Sequence, residues 1–412
     1  MGAAPGHLGG CATIGWNLAA AASTQLQTAP AVLEIGLVLL LAVLAAAIAR
    51  LVGLPAVLGY LAVGLIVSPF TPGYVADRHQ LELLADVGVV LLLFEVGIEI
   101  NPQRLRHERG SLFWAVPAQV LVTTVFTSAS LLALGLPPAG ALLIGLSVAM
   151  SSSVVVVNIT RSRRRTTNRS TDEALLGWSV MQDMTGVAIA LLVIASSGLA
   201  SRPPLVAAAG IIGFVGLAVL SAWALPRLLH RLRTQHDLFL LLSVGSGLAL
   251  AGVGATFFDI PLALAAFVAG LAVGESPSAG EARRRILPFR DLFAVLFFVL
   301  LGSLIDPMEL PRALPWLALL LVAVGLAKLL PTLLLGRLAG LQGVRLWQLA
   351  IGLGQIGEFS FVLASIVLSR GLIPPDLYAS VLAAVVATIV LSTLLVRLGG
   401  RREPEAGLAP AG

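Results

Sequence analysis

The sequence predicts an all-α membrane protein of about thirteen transmembrane helices, arranged as an inverted repeat with two crossing, discontinuous helices. Three observations predict it. Of 412 residues, 58% are hydrophobic and 11% charged, with a mean hydropathy of +0.98; a soluble chain is nearer a quarter charged. The arginines fall almost entirely on alternate loops between apolar runs. Two apolar runs, seven apart in order, carry helix-weakening clusters at their centres. The composition excludes a disordered chain, a nucleic-acid-binding domain and an ordinary cytosolic enzyme. The basic balance, with a pI near 10.3, comes from short loops and reads as topology rather than as a nucleic-acid patch.

A membrane helix needs roughly 20 mostly apolar residues. Thirteen segments meet this pattern, at 31–49, 54–69, 80–100, 112–136, 139–160, 174–198, 204–224, 236–257, 260–274, 288–305, 313–335, 347–369 and 376–398. Those at 54–69 and 260–274 are short and read equally as tilted or partly interfacial helices. With this count, one side of the membrane holds twenty-one arginines and the other only Arg78, Arg202, Arg312 and Arg370. The positive-inside rule makes the arginine-rich side cytoplasmic, with the N-terminus outside and the C-terminus inside. The run Arg161–Arg165 reads as a topological anchor near anionic lipid.

The chain divides into an N-terminal extension (1–30), a transmembrane domain (31–398) and a cytoplasmic tail (399–412). The extension lacks the basic start and compact apolar core of a cleaved signal, and the tail is too short to fold alone. The single cysteine, Cys11, excludes intramolecular disulfides and thiolate clusters. The five histidines, His7, His79, His107, His230 and His236, lie in the N-terminal tail or in loops, His236 at the very start of a segment. No cofactor, resident metal or catalytic residue is expected, and the chain does not read as an enzyme.

Few acids lie within the spans. Asp183 is the deepest, nine residues into its segment, roughly 14 Å down at ~1.5 Å per residue and near the middle of a core about 30 Å thick. Ser179, Gln182, Asp183 and Gly186 fall at helical spacing and form one small polar face, as on a helix lining a watery cavity. The competing reading is a carboxylate paired with another helix for structural reasons.

Segment five holds Ser151, Ser152 and Ser153 at its centre, whose hydroxyls compete with the helix ladder. Segment twelve holds Gly352, Gly354 and Gly357, with Gln355 and Glu358 among them; so many glycines weaken a helix. Segments an odd number apart cross in opposite senses, and two such breaks in corresponding halves point to an inverted-repeat transport site. Close helix packing is the alternative use of small residues. The three glycines also match G-x-G-x-x-G, but without the strand–turn–helix context that a dinucleotide site requires.

Lys328 is the only lysine, and it sits inside segment eleven. A lysine can lose its proton when desolvated, where arginine in practice cannot. It is read as partner to a core carboxylate or polar group, with Gln182 and Glu358 as candidates, or as snorkelling to the interface. In segment three, Asp86 and Glu95 lie on opposite faces, whereas Glu95 and Glu99 share one. Asp86 and Glu95 are assigned gating or structural roles.

Six stretches, taken in order, resemble the Kef-type branch of the monovalent cation:proton antiporters, close relatives of bacterial sodium–proton exchangers. They are Leu91–Glu99, Ala149–Val154, Met181–Asp183, Ala265–Leu271, Leu296–Gly302 and Gly354–Phe359, and they span essentially the whole membrane region. The resemblance implies a moving core of segments four to six and eleven to thirteen, a scaffold that dimerises, and a bacterial inner membrane. Where the sodium exchangers place two aspartates, Gln182 and Asp183 stand here. Ser152 and Ser153 fall at the crossing-helix hydroxyls, and Lys328 at the core lysine. The nucleotide-binding domain that Kef systems append has no counterpart in this sequence, so nucleotide control is not expected; a separate regulatory subunit would have to supply any such control.

The function expected is exchange of a monovalent cation, potassium favoured over sodium, for protons by competition at Asp183. Gln182, Ser152 and Ser153 complete that site, and Lys328, Glu358, Gln355 and Ser151 support it. A sodium-coupled organic-anion symporter of similar fold would need a roomier, donor-lined site. A channel would need rings of carbonyls or charges, and the sequence shows no filter-like repeat.

Overall fold

The computed structural model describes residues 30, 32–70, 78–99, 110–160, 167–197, 203–232, 235–274, 278–306, 308–357 and 359–399. In chain order the helices are α1 (Val32–Leu51), α2 (Ala56–Ile66), α3 (Arg78–Glu99), α4 (Leu112–Ala133), α5 (Pro138–Ala149) and α6 (Ser153–Thr160). They continue with α7 (Arg169–Ser196), α8 (Pro204–Leu232), α9 (His236–Phe258), α10 (Leu262–Gly274) and α11 (Ala279–Ser303). Leu310–Ala323, a π-helical turn at Val324–Leu329 and Leu330–Leu338 run on as one rod, α12. The last are α13 (Leu346–Leu353), α14 (Phe359–Ser369) and α15 (Pro375–Gly399).

Each of the thirteen expected segments is helical. Among the described residues eight helices are long and apolar enough to cross a membrane. Of the other five segments, α2 and α10 are short at 11 and 13 residues, and α3 carries several charges. The remaining two segments are split: α5 with α6, and α13 with α14. Both splits fall where the serine and glycine clusters predict them.

The two split rods cross antiparallel. α5 packs on α14, and α13 packs on α6, so the first half of each meets the second half of the other. A Cβ on Gly140, at the start of α5, would lie 2.8 Å from the carbonyl oxygen of Leu372, just past α14. Around this crossing, α4 packs on α5 and α7, α7 on α13, and α15 on α12 and α13.

A second layer holds α2, α3, α9, α10 and α11. Here backbones touch: a Cβ on Gly64 would strike the main chain of Val299 and Gly302, and one on Gly97 that of Phe267 and Gly270. Small residues permit this approach and are a recurring device of membrane helix packing. Two edge-on phenyl pairs join the layers, Phe359 with Phe267 at 5.6 Å and Phe361 with Phe298 at 6.3 Å between ring centroids.

Two boundaries differ most from expectation. α11 begins at Ala279 rather than 288, and α8 runs to Leu232 rather than 224. Arg283 and Arg285, expected in the loop before residue 288, lie on α11 paired with Glu95 of α3 and with Glu281 one turn back.

Candidate cation site at the crossing of two broken helices

α5 ends because Met150 adopts an extended backbone (φ −85°, ψ 142°). α13 ends at Gly354 (ψ 20°). Each break frees backbone groups that must find partners away from water. They find one another. Gly357 N–H donates to Met150 O at 3.0 Å. Ser152 N–H donates to Gln355 Oε1 at 2.8 Å, and Gln355 Nε2 donates back to Ser152 O at 3.1 Å. Ser151 Oγ donates to Leu353 O at 2.7 Å. From α15, Thr388 Oγ1 accepts from Ile356 N–H at 3.1 Å and Ser392 Oγ donates to Ile351 O at 2.7 Å. Gly357 is required here, since a Cβ would come within 2.6 Å of Ser151 C.

Lys328 closes the crossing. It is fully buried, and its Nζ donates to Val148 O at 2.9 Å, Met150 O at 3.0 Å and Gln355 O at 2.7 Å. An ammonium has three donors, and three carbonyls, from both broken rods, receive them. Of the two partners expected from sequence, Gln182 is corrected, since Lys328 binds main chain and Gln182 donates to Gln119 instead; Glu358 lies outside the described residues. The snorkelling alternative also fails, because the side chain is buried. The π-helical turn that carries Lys328 disturbs the local ladder, as such turns do. Thr123 Oγ1 donates to Ala327 O at 2.6 Å and Thr332 Oγ1 to Lys328 O at 2.7 Å.

Asp183 lies on α7 against this crossing. The residue is 1% exposed, and α7 packs on α5, α6 and α13. One turn on, Gly186 packs against the side chain of Met150 at the first break. Ser179, Gln182, Asp183 and Gly186 are all buried, so this face of α7 is turned into the protein. Gln182 Nε2 donates to Gln119 Oε1 at 2.5 Å.

The other expected residues divide. Ser151 and Ser152 are buried in the first break, and Ser152 Oγ accepts from Val155 N–H at 3.3 Å as α6 begins. Ser153 is half-buried at the first position of α6. Gln355 is fully buried and bridges the breaks. Glu95 stands apart from the crossing, 1% exposed, between Arg283 and Arg290 of α11. Arg283 also reaches Glu99 at 2.7 Å. Asp86 is exposed on the other face of α3. The run Arg161–Arg165 lies outside the described residues.

Sequence reading missed Gln119 and Thr123 of α4, both fully buried. A signal existed. Gln119, Thr123 and Thr127 recur at four-residue spacing inside an apolar run, which puts them on one helix face.

A crossing of two broken helices beside a buried carboxylate is the architecture of a carrier with alternating access. The sequence model of the family described as "Sodium/hydrogen exchanger, transmembrane" matches residues 37–397. A protein of Escherichia coli (strain K12) named as a cation/proton antiporter, YbaL, is 30% identical over 383 residues, covering 87% of this chain and 67% of that one. The sodium proton antiporter MjNhaP1 of Methanocaldococcus jannaschii, solved at pH 8, has the same fold: TM-score 0.71, 21% identity, 90% of this chain and 98% of that one. A second structure of MjNhaP1 gives a TM-score of 0.65 at 18% identity, over 91% and 99% of the two chains. The chain belongs to the sodium/hydrogen exchanger family. It is a multi-pass membrane transporter of the cation/proton antiporter class and not an enzyme.

Proposed function

We propose that Asp183 is the exchange site, where a proton and a monovalent cation compete for one carboxylate. The observation that carries this reading is the position of Asp183, buried to 1% exposure against a crossing whose two breaks meet at Met150 and Gly357. A buried carboxylate is stabilised either by protonation or by a bound cation, so loading one releases the other. Exchange is then obligatory so long as the empty charged site does not cross. Gln182, Ser152 and Ser153 supply neutral oxygens around it. Lys328, Gln355 and Ser151 hold the breaks in register, and Glu358 belongs to the same support.

Potassium is favoured over sodium. Gln182 stands where the sodium exchangers carry a second acid, and the weaker field suits a larger, less tightly hydrated ion. The protein works as a homodimer in a bacterial inner membrane with its N-terminus outside. Residues 31–398 are the transporting unit.

Asp183→Asn tests the site. In everted vesicles or proteoliposomes it abolishes cation-dependent dequenching of a pH dye; wild-type exchange by that variant would refute the assignment. Sodium and potassium titrations of the purified protein, side by side, test the ion preference.

A further inference from the structure

We propose that Gln119 and Thr123 are positioning residues that fix which end of the Gln182 amide faces the ion. The inference deepens the reading of Asp183 and Gln182 as the exchange site and rests on it.

An amide side chain can be turned end for end, and its hydrogen-bond partners decide which end is which. Here each partner is forced. Thr123 Oγ1 has two acceptors in reach, Ala327 O at 2.6 Å and Gln119 O at 2.9 Å. Both are carbonyls, so its one proton goes to a carbonyl in either case. Only lone pairs remain for the third neighbour, the Gln119 side chain at 2.9 Å. Gln119 must therefore present Nε2 to Thr123 and Oε1 the other way. Trp178 enforces the same choice independently, because its indole can only donate, and it donates to Gln119 Oε1 at 3.3 Å. Facing Gln119 Oε1 at 2.5 Å, Gln182 must present Nε2.

The consequence falls on the other end of Gln182. Its Oε1 is turned away from Gln119, buried, and without a hydrogen-bond partner among the described residues. A buried acceptor without a donor is costly, and a cation is the ligand that wants an oxygen there. It is one residue from Asp183. Were the amide reversed, two N–H groups would face the cation instead. The relay begins at Ala327 O, next to Lys328 in the π-helical turn, so the pin of the crossing and the ligand of the ion share one line of hydrogen bonds.

The test is cation titration in proteoliposomes of wild type, Gln119→Leu, Thr123→Val, Thr123→Ser and Asp183→Asn. Sodium and potassium serve as probes, and thermal unfolding in detergent is measured in parallel. Gln119→Leu frees the amide and should raise the KM for the preferred cation about tenfold, the scale of one lost interaction of this kind, with maximal rate retained. Thr123→Val should move KM the same way, and Thr123→Ser should restore it. A fall in melting temperature or maximal rate with KM and ion preference unchanged in both variants would make the cluster merely structural and overturn the proposal. Should Gln119→Leu fail to fold, the valine–serine pair at 123 decides alone. Asp183→Asn separates the two levels. Exchange retained there sinks the site itself, whereas exchange lost there with wild-type KM in the relay variants sinks only the relay.

Discussion

Lys328 Nζ lies 3.0 Å from the carbonyl oxygen of Met150, and that oxygen also accepts the N–H of Gly357. One carbonyl thus holds the two broken helices both to each other and to α12. Lys328→Met removes three hydrogen bonds from buried carbonyls at once. The expected cost is on the order of 3 kcal/mol, seen as a melting temperature lowered by several degrees in detergent. A wild-type melting curve for this variant would contradict the pinning role.

Gly357 has no room for a side chain, because the atoms a Cβ would meet are the main chain of Ser151 and Ser152. Neither can yield without separating the breaks. Gly357→Ala should cost about 1–3 kcal/mol from overpacking and lower exchange at least tenfold. Dye dequenching, normalised to folded protein, measures it. Gly325 is the control, since a Cβ there meets open space, and Gly325→Ala should leave exchange intact.

Glu95 separates stability from transport. Glu95→Gln leaves Arg283 and Arg290 without the carboxylate they share. Breaking a buried pair costs about 3–5 kcal/mol, and the part-exposed arginines bring this nearer 2. The melting temperature should fall, while exchange per folded molecule stays within about twofold of wild type. A selective loss of exchange in Glu95→Gln would show that α3 gates the pathway.

The proposed competition of proton and cation at Asp183 fixes a pH dependence. Where Asp183 is mostly protonated, each unit fall in pH should raise the apparent KM for the cation about tenfold, by reciprocal linkage. Maximal rate at saturating cation should change far less. Cation titrations at several pH values check this, and a KM independent of pH would mean that proton and cation bind at different places.

The thirteen segments, both breaks and the inward face of α7 were legible in the sequence, because each rests on local pattern: an apolar run, a cluster of serines or glycines, a helical spacing. What was not legible depends on partners distant in sequence. The arginines of α11 looked like a loop because Glu95, which neutralises two of them, lies 188 and 195 residues away. The carbonyls that Lys328 binds carry no residue-specific signal, and two of the three are free to accept only because two helices break. Gln119 was overlooked as one amide in an apolar run; its importance appears only when Trp178, Gln182 and Thr123 converge on it.

The glycine contacts among α2, α3, α10 and α11 bear on how the machine moves. Where Gly64 meets Gly302 and Gly97 meets Gly270 main chain to main chain, there is no soft padding to compress, and the panel behaves as a stiff wall. Across the seam, by contrast, Phe359 and Phe361 meet the rings of Phe267 and Phe298 edge-on. On the exchange mechanism proposed above, slippage would be cheapest along that border, and the crossing would travel as one piece against an unyielding backplate.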